Sequence, residues 1–273
     1  MQFTWFFTKD RLEFKQMTAC FFSNNESRYV QVYSLLLDDE KTPCSSLVLL
    51  EDGVCVGFAF YDGKKNLYLS DIPLEAIPSL TKHSSIKDWE YTRLGASKRV
   101  AEVFLSQQQG VTLDMNQFVF SCSQVQLPPS QGGVLVQAEL DNFDTAYQMF
   151  EGFFVECWPD SPIPEHLRVM LKKEIEKNNV FLWKNSDGEF VSMAAKVRTT
   201  TNTASISWVY TFRKSRGYGY GAKATAYLTE RLLKQGYQEC NLFTDASNPI
   251  SNHIYTKIGY VQIGEQSVYS LVR

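Results

Sequence analysis

Three glycines stand at alternate positions in the segment Arg216–Gly221 (RGYGYG), and this segment constrains the fold more than any other feature of the 273-residue chain. The strand pattern Ala204–Phe212 precedes it, and the apolar spacing that follows predicts a helix over Ala222–Gln235. A loop in this place presents backbone N–H groups and the positive end of a helix to an anion. Glycines let the backbone approach phosphate oxygens without an intervening Cβ. The neighbouring cations would attract a polyanion over a longer range: Arg213, Lys214 and Arg216.

The rest of the second half predicts a mixed order of strands and helices. The predicted elements are a strand after Gly133, helices over Phe143–Val155 and after Pro162 and Pro164, strands Val180–Lys184, Glu189–Arg198 and Glu239–Thr244, a short helix Ser251–Lys257 and a last strand near Ser267–Val272. We expect an α+β fold with a mixed, mostly antiparallel sheet flanked by helices.

A break between folded units is predicted where two prolines and two glycines fall within Gln126–Gly133. It divides the chain into predicted domains 1–127 and 134–273. The first half repeats the pattern of the second: Asp52-Gly53 matches the turn at Asp187-Gly188. The strand Gln117–Ser121 likewise parallels Gln266–Ser270. We therefore expect two halves of one fold, although chance likeness between two strand–turn–strand segments is the alternative.

Two motifs in register resemble the GNAT superfamily of acyl-CoA-dependent acyltransferases. The first is the R-x-x-G-x-G pattern that begins at Arg216, which matches neither the Rossmann nor the Walker spacing. The second runs from Asn248 to Tyr260 and is similar to N-x-x-A-x-x-x-Y-x-x-x-G-F, with Ser251 at the small position. The resemblance covers roughly residues 134–273 and extends to a subgroup whose N-terminal half is GNAT-like but lacks the cofactor loop.

The resemblance implies acetyl-CoA as co-substrate, without a metal, and assigns its contacts. The backbone of Val209 and Thr211 would bind the pantetheine arm, and the Val209 N–H would polarise the thioester carbonyl. The diphosphate would lie on the loop. Asn248 would contact the pantetheine or the neighbouring backbone, and Asn252 would face the cofactor. The full set of implied cofactor-binding residues is Val209, Tyr210, Thr211, Arg216, Gly217, Tyr218, Gly219, Tyr220, Gly221, Ala222, Asn248 and Asn252.

Tyr255 falls where many members of the family keep a general acid that protonates the departing thiolate. A phenol can give its proton to a thiolate of similar basicity. The alternative role is an aromatic side chain packed under the cofactor sulfur. The general base is not identified, because the strand before the loop has no acidic residue. Glu151, Glu156 and Asp245 are candidates, but the sequence favours a solvated or capping carboxylate for each.

The remaining candidates belong to the acceptor side and to the surface. Phe153, Phe154, Trp158 and Trp208 are candidates for an acceptor pocket, or they pack in the core. His253 is expected at the surface.

The first half lacks a phosphate cradle by sequence, since no glycine occurs between Gly63 and Gly95. The corresponding segment Asp71–Pro78 carries acidic residues and two prolines, which have no N–H to donate. We therefore predict one acetyl-CoA per chain, with an architectural role or a small-molecule binding role for the first half.

The expected function is an N-acetyltransferase that transfers acetyl to a small-molecule or peptide amine in a ternary complex. The alternatives are a non-catalytic acyl-CoA sensor, another acyl chain, or an O-acceptor. A net charge of −3 without a basic stripe argues against nucleic acid, and scattered cysteines and histidines argue against a metal. The composition and the charged N-terminus predict a cytoplasmic protein without a membrane partner, and a homodimer is possible.

Overall fold

The computed structural model describes residues 3–37, 44–129 and 133–272. The elements of its first part are, in chain order, β1 (Phe3–Thr8), α1 (Arg11–Met17), α2 (Ala19–Ser23), α3 (Val30–Leu37), β2 (Ser45–Glu51), β3 (Val54–Tyr61), β4 (Asn66–Leu69), α4 (Ile77–Lys82), α5 (Ser84–Asp88), β5 (Arg93–Ala96), α6 (Lys98–Phe104) and β6 (Val111–Cys122). Those of the second part are β7 (Gly133–Gln137), α7 (Phe143–Cys157), α8 (Leu167–Glu176), β8 (Val180–Asn185), β9 (Phe190–Thr199), β10 (Thr203–Thr211), α9 (Tyr220–Lys234), β11 (Glu239–Asp245), α10 (Pro249–Lys257) and β12 (Val261–Leu271).

All predicted elements of the second half are confirmed, with shifted ends. The largest shift is in β12, which begins at Val261 rather than near Ser267. The predicted break at Gln126–Gly133 lies only partly within the described residues, because 130–132 fall outside them.

Contacts divide the chain into two compact units that do not follow the chain order. Unit 1 comprises the described residues of Met1–Val119, Phe243–Pro249 and Ile263–Arg273, and unit 2 comprises those of Phe120–Leu242 and Ile250–Gln262. The predicted domains 1–127 and 134–273 are continuous, whereas each unit takes residues from both. The cause is long-range strand pairing: Ser267–Ser270 of β12 pair antiparallel with Arg93–Ala96 of β5.

Each unit repeats the same strand pattern. In unit 1, β1 to β4 are antiparallel neighbours, β4 and β5 are parallel, and β12 follows β5. In unit 2, β7 to β10 are antiparallel neighbours, and β10 and β11 are parallel. The last residues of β6 follow β11 in unit 2. The two strands with similar sequences thus hold equivalent places, and the expected pair of mixed, mostly antiparallel sheets flanked by helices is confirmed.

Apolar residues on both faces of each sheet bury the helices against it. In β2 of unit 1, Leu47 and Leu49 join one core cluster, while Val48 joins the other with Phe14 and Phe22. In β8 of unit 2, Val180 and Leu182 pack with α7 and α8. Trp183, the next residue of the strand, lies on the opposite face and contacts Tyr227 of α9, with ring centroids 5.2 Å apart. This period-two alternation is what a sheet covered on both faces requires.

Candidate functional site

Strand β10 is interrupted by a bulge at Trp208 and Val209. Ser207 pairs with Ala195 and Tyr210 with Met193, so two residues of β10 stand opposite Ala194 alone. Trp208 has a φ of +56°. The left-handed region is strained for a bulky residue, and such strain concentrates at functional sites. The bulge was not predicted, because Ala204–Phe212 reads as an unbroken strand.

The edge of β10 that faces β11 is paired only at the start of the strand. It pairs in parallel with β11 only over Thr203–Ser205 and Glu239–Asn241. From Ile206 to Thr211 this edge has no recorded pairing with β11. An unpaired strand edge can take up an extended ligand through its backbone N–H and C=O groups. The predicted contacts of Val209 and Thr211 with an extended arm are compatible with this geometry.

The glycine loop leads into α9 in the geometry of an anion cradle. Gly217 and Gly219 have φ values of +87° and +74°, and no atom lies within 4 Å of the position a Cβ would take at either residue. Gly219 is the N-cap and no side chain caps the helix. Its first recorded intrahelical bond runs from Lys223 N to Gly219 O at 3.0 Å. The amides of the first turn therefore have no intrahelical acceptor, and the two glycines before them leave open space at their Cβ positions.

The cradle is joined directly to the bulged strand. A Cβ at Gly221 would lie 3.2 Å from Thr211 Oγ1. Ser192 Oγ holds this end of β10, since it donates to Tyr210 O at 2.8 Å and lies 2.9 Å from Thr211 Oγ1. The residues present fit a CoA thioester. The glycine amides suit its diphosphate, and the unpaired edge of β10 suits its extended arm.

Two cations of the loop are held by one carboxylate from α7. Glu156 accepts from Arg216 at 2.9 and 2.7 Å and from Arg213 at 3.0 Å. Arg216 also donates to Thr211 O at 3.1 Å, and its guanidinium lies 5.4 Å from the centre of the Tyr210 ring. Sequence reasoning treated Glu156 only as a candidate base, because nothing local shows that α7 ends beside the loop.

The two tyrosines of the loop lie on its outside. Tyr218 is 69 % exposed and stacks on Tyr220, with ring centroids 5.8 Å apart. Lys223 lies 5.6 Å from the centre of the Tyr220 ring. The predicted cofactor contacts of Tyr218 and Tyr220 therefore require either their backbone amides or a movement of their rings.

Tyr255 is buried in unit 2, next to Phe120 at 6.4 Å and Tyr260 at 6.1 Å between ring centroids. Burial, with a smaller contribution from Cys157, raises the pKa of Tyr255 well above its ordinary value. Its hydroxyl has no recorded hydrogen bond to any described residue. Tyr260 differs, because its hydroxyl lies 2.7 Å from Thr229 Oγ1.

The other residues of the second motif have mainly structural contacts. The exposed Asn248 belongs to unit 1, and its amide donates to Asp245 O at 3.0 Å. Asn252 is half-buried in unit 2, and His253 is exposed, as predicted. The roles of Asn248 and Asn252 towards a cofactor stay predictions.

The remaining candidate bases are engaged elsewhere. The Asp245 carboxylate accepts from the amide and hydroxyl of Ser247, at 2.8 and 2.7 Å, which is a capping arrangement. Glu151 lies near Tyr147, whose pKa is raised by burial and by this carboxylate. Neither residue is brought to Val209 by any recorded contact.

Unit 1 has a salt-bridge network at the place of the loop. Asp71 pairs with Arg28 and accepts from Ser97, and its amide donates to the Tyr29 hydroxyl at 2.9 Å. A 3₁₀ turn (Leu74–Ala76) and the six-residue α4 follow it. This carboxylate stands where unit 2 has glycine amides.

Within the described ranges the protein has neither a cluster of metal-ligating side chains nor a helix that could span a membrane. No three His, Cys, Asp or Glu side chains of residues 3–37, 44–129 and 133–272 cluster in a way that could hold a metal ion. None of the helices in these ranges combines the length and apolarity needed to span a bilayer.

The candidate site of this α+β fold thus combines a bulged strand, a parallel strand pair that is joined only at its start, and a glycine-rich helix start without a side-chain cap. Residues 143–260 match the family model of the acetyltransferase (GNAT) family. The matched residues include both motifs, so this part of the chain is similar to that family, as the motifs predict.

Solved structures confirm the fold over the whole chain. A Drosophila protein has 12 % identity and a TM-score of 0.64, with 96 % of this chain and 97 % of that one covered. A GCN5-related N-acetyltransferase from Sphaerobacter thermophilus has 14 % identity, a TM-score of 0.63 and coverages of 97 % and 94 %. A tandem GNAT protein of clavulanic acid biosynthesis has 13 % identity, a TM-score of 0.50 and coverages of 97 % and 97 %. No curated protein sequence matches the chain significantly.

Proposed function

We propose that the protein is an acetyl-CoA-dependent N-acetyltransferase that moves acetyl to a small-molecule or peptide amine by direct attack in a ternary complex. One observation carries the proposal: the uncapped start of α9 adjoins the unpaired edge of β10 through the close approach of Gly221 to Thr211. A ligand that uses both features must join an anionic group to an extended hydrogen-bonding arm. CoA has this chemistry, and acetyl-CoA supplies an activated acetyl thioester.

In this proposal the bulge aims one backbone donor at the reacting carbonyl. The Val209 N–H, outside regular pairing with β9, donates to the thioester oxygen and stabilises the negative charge that develops there. The amine nitrogen forms the new C–N bond and the C–S bond breaks. Positioning the two reactants supplies much of the rate enhancement.

Tyr255 donates its hydroxyl proton to the departing thiolate. Its burial keeps the phenol protonated throughout the ordinary pH range, since burial raises its pKa. The proton lost by the amine passes to water and restores Tyr255, so protons balance over the cycle. Water takes this part because Glu156 and Asp245 are already engaged by other groups.

The test mixes purified protein with acetyl-CoA and primary amines and follows free thiol release together with the mass of the product. We expect amine-dependent thiol release and a product that is one acetyl group heavier. Tight CoA binding without thiol release from any amine would favour the sensor alternative. Release with alcohols alone would favour an O-acceptor.

A further inference from the structure

Three aromatic residues form a line along one face of α7 and the residue that caps it. Phe150, Phe154 and Trp158 follow each other at intervals of four, the spacing that places side chains on one helix face. We call them the aromatic stripe. Phe150 is 1 % exposed, Phe154 is half-buried and Trp158 is 38 % exposed, so the stripe runs from the core to the surface.

The inner end of the stripe lies against the bulge. The ring centroids of Phe150 and Trp208 are 4.2 Å apart, and Val209 is the next residue of the strand. At the outer end, the rings of Phe154 and Trp158 lie 5.0 Å apart. The stripe therefore leads from solvent towards the proposed site of attack.

Close packing fixes the stripe in position. A Cβ at Gly152 would lie 2.5 Å from the Tyr210 ring, which means that α7 lies directly against β10. The half-buried Phe154 packs against the core of unit 2, which also contains Phe150. Phe154 and Trp158, which the sequence leaves open between core and acceptor pocket, thus reach the surface, whereas Phe150 lies in the core.

Carboxylates beside the stripe attract a cationic amine, which gives one proton to water before its neutral nitrogen attacks the thioester. Residues 143–167 contain five carboxylates and no Lys or Arg. Two of the five, Asp144 and Glu156, are paired with arginines. Asp160 and Glu165 are exposed, and Asp160 follows Trp158 by two residues, so it adds negative potential near the outer end of the stripe.

Resting on the proposed function, we propose that the acceptor is a primary amine joined by a short linker to an aromatic ring. The ring stacks on Phe154 and Trp158 while the nitrogen faces the thioester beside Val209. Aromatic pairs at such distances are favourable beyond the area that they bury. The aromatic stripe thus selects for the aromatic ring of the acceptor, whereas the bulge and Tyr255 act on the amine and the thioester.

The test compares kcat/KM for 2-phenylethylamine, propylamine and ethanolamine, measured by thiol release at saturating acetyl-CoA. We expect the wild type to prefer 2-phenylethylamine by about tenfold or more, the scale of pocket discrimination between related substrates. Trp158→Ala should remove about tenfold of this advantage and leave ethanolamine within about twofold. Trp158→Phe should keep the preference, and Val169→Ala, an exposed site on α8, is the matched control.

Equal kcat/KM for the three amines in the wild type, or an equal loss for all three in Trp158→Ala, would overturn the inference. If Trp158→Ala does not fold, the kcat/KM values of the wild type and of Trp158→Phe for the three amines still test the inference. Failure of every amine to release thiol, with CoA bound, would instead refute the proposed function.

Discussion

Two buried tyrosines of the second motif have different surroundings at the residue scale. The Tyr260 hydroxyl is paired with Thr229 inside unit 2, whereas that of Tyr255 has no recorded partner among the described residues. A hydroxyl that makes no hydrogen bond inside its own unit keeps its proton available for a ligand. This contrast makes Tyr255, rather than Tyr260, the residue with a proton to give.

Tyr255→Phe should lower kcat by about 10²- to 10⁴-fold, the contribution of general acid catalysis, and leave the Kd for CoA within about twofold. Steady-state kinetics and calorimetry measure the two effects. The control Tyr260→Phe should lose about 1 kcal/mol of stability with its hydrogen bond and keep kcat. Unchanged kcat in Tyr255→Phe would assign that side chain to packing alone.

Glu156→Gln should tighten CoA binding at low salt. The substitution frees the guanidiniums of Arg213 and Arg216 for the phosphates, and the gain should vanish at high salt because screening weakens exposed charges. Calorimetry at two ionic strengths checks this, with Glu176→Gln, whose partner is Lys172, as control. Weaker binding would mean instead that the carboxylate is needed to order the loop.

At the scale of elements, α9 has a positive-φ glycine at each end. Gly219 is its N-cap with φ +74°, and Gly236 follows its C-cap with φ +106°. Neither position has an atom within 4 Å of a built Cβ. An alanine at either site therefore strains the backbone without a clash, but only one of the two sites lies at the cradle.

Gly219→Ala and Gly236→Ala should each cost about 1 kcal/mol, the usual penalty for a left-handed alanine. Only Gly219→Ala should weaken CoA binding, because its Cβ and its strain fall at the amides that receive the diphosphate. Urea unfolding and calorimetry separate the two quantities. Equal loss of CoA affinity in both variants would show that helix stability alone decides binding.

At the scale of the whole molecule, the two units share a strand pattern but differ at the place of the cradle. Unit 2 offers glycine amides there, and unit 1 offers Asp71 with its partners Arg28 and Ser97. Calorimetry with acetyl-CoA should give one site per chain. Two sites would show that unit 1 binds CoA without a glycine cradle.

Stability should fall at alkaline pH in both units. Burial raises the pKa of Tyr29 in unit 1, and that of Cys240 in unit 2, to about 12. The unfolded chain loses the thiol proton from about pH 9 and the phenol proton from about pH 10, while the folded chain holds both, so the free energy of unfolding decreases with pH up to about 12. Urea unfolding between pH 8 and 11 measures how steeply the free energy of unfolding falls with pH. Cys240→Ala should make this fall less steep between pH 9 and 10.

The sequence by itself determined the elements of the second half, the likeness to the GNAT family and the glycine-rich start of α9, because these depend on local patterns. Alternation and helical spacing predict β8, β9 and α7, and the glycines from Gly217 onward predict a helix start open to an anion. The likeness of Gln117–Ser121 to Gln266–Ser270 even indicated that the two strands are equivalent.

Only the tertiary structure decided which distant residues meet. The pairing of β12 with β5, the clamp of Glu156 on Arg213 and Arg216, and the approach of Phe150 to Trp208 all join segments far apart in the chain. The bulge at Trp208 depends on register with β9, which no local pattern records. Strand register and side-chain contact are properties of packing, and packing is settled by the whole chain at once.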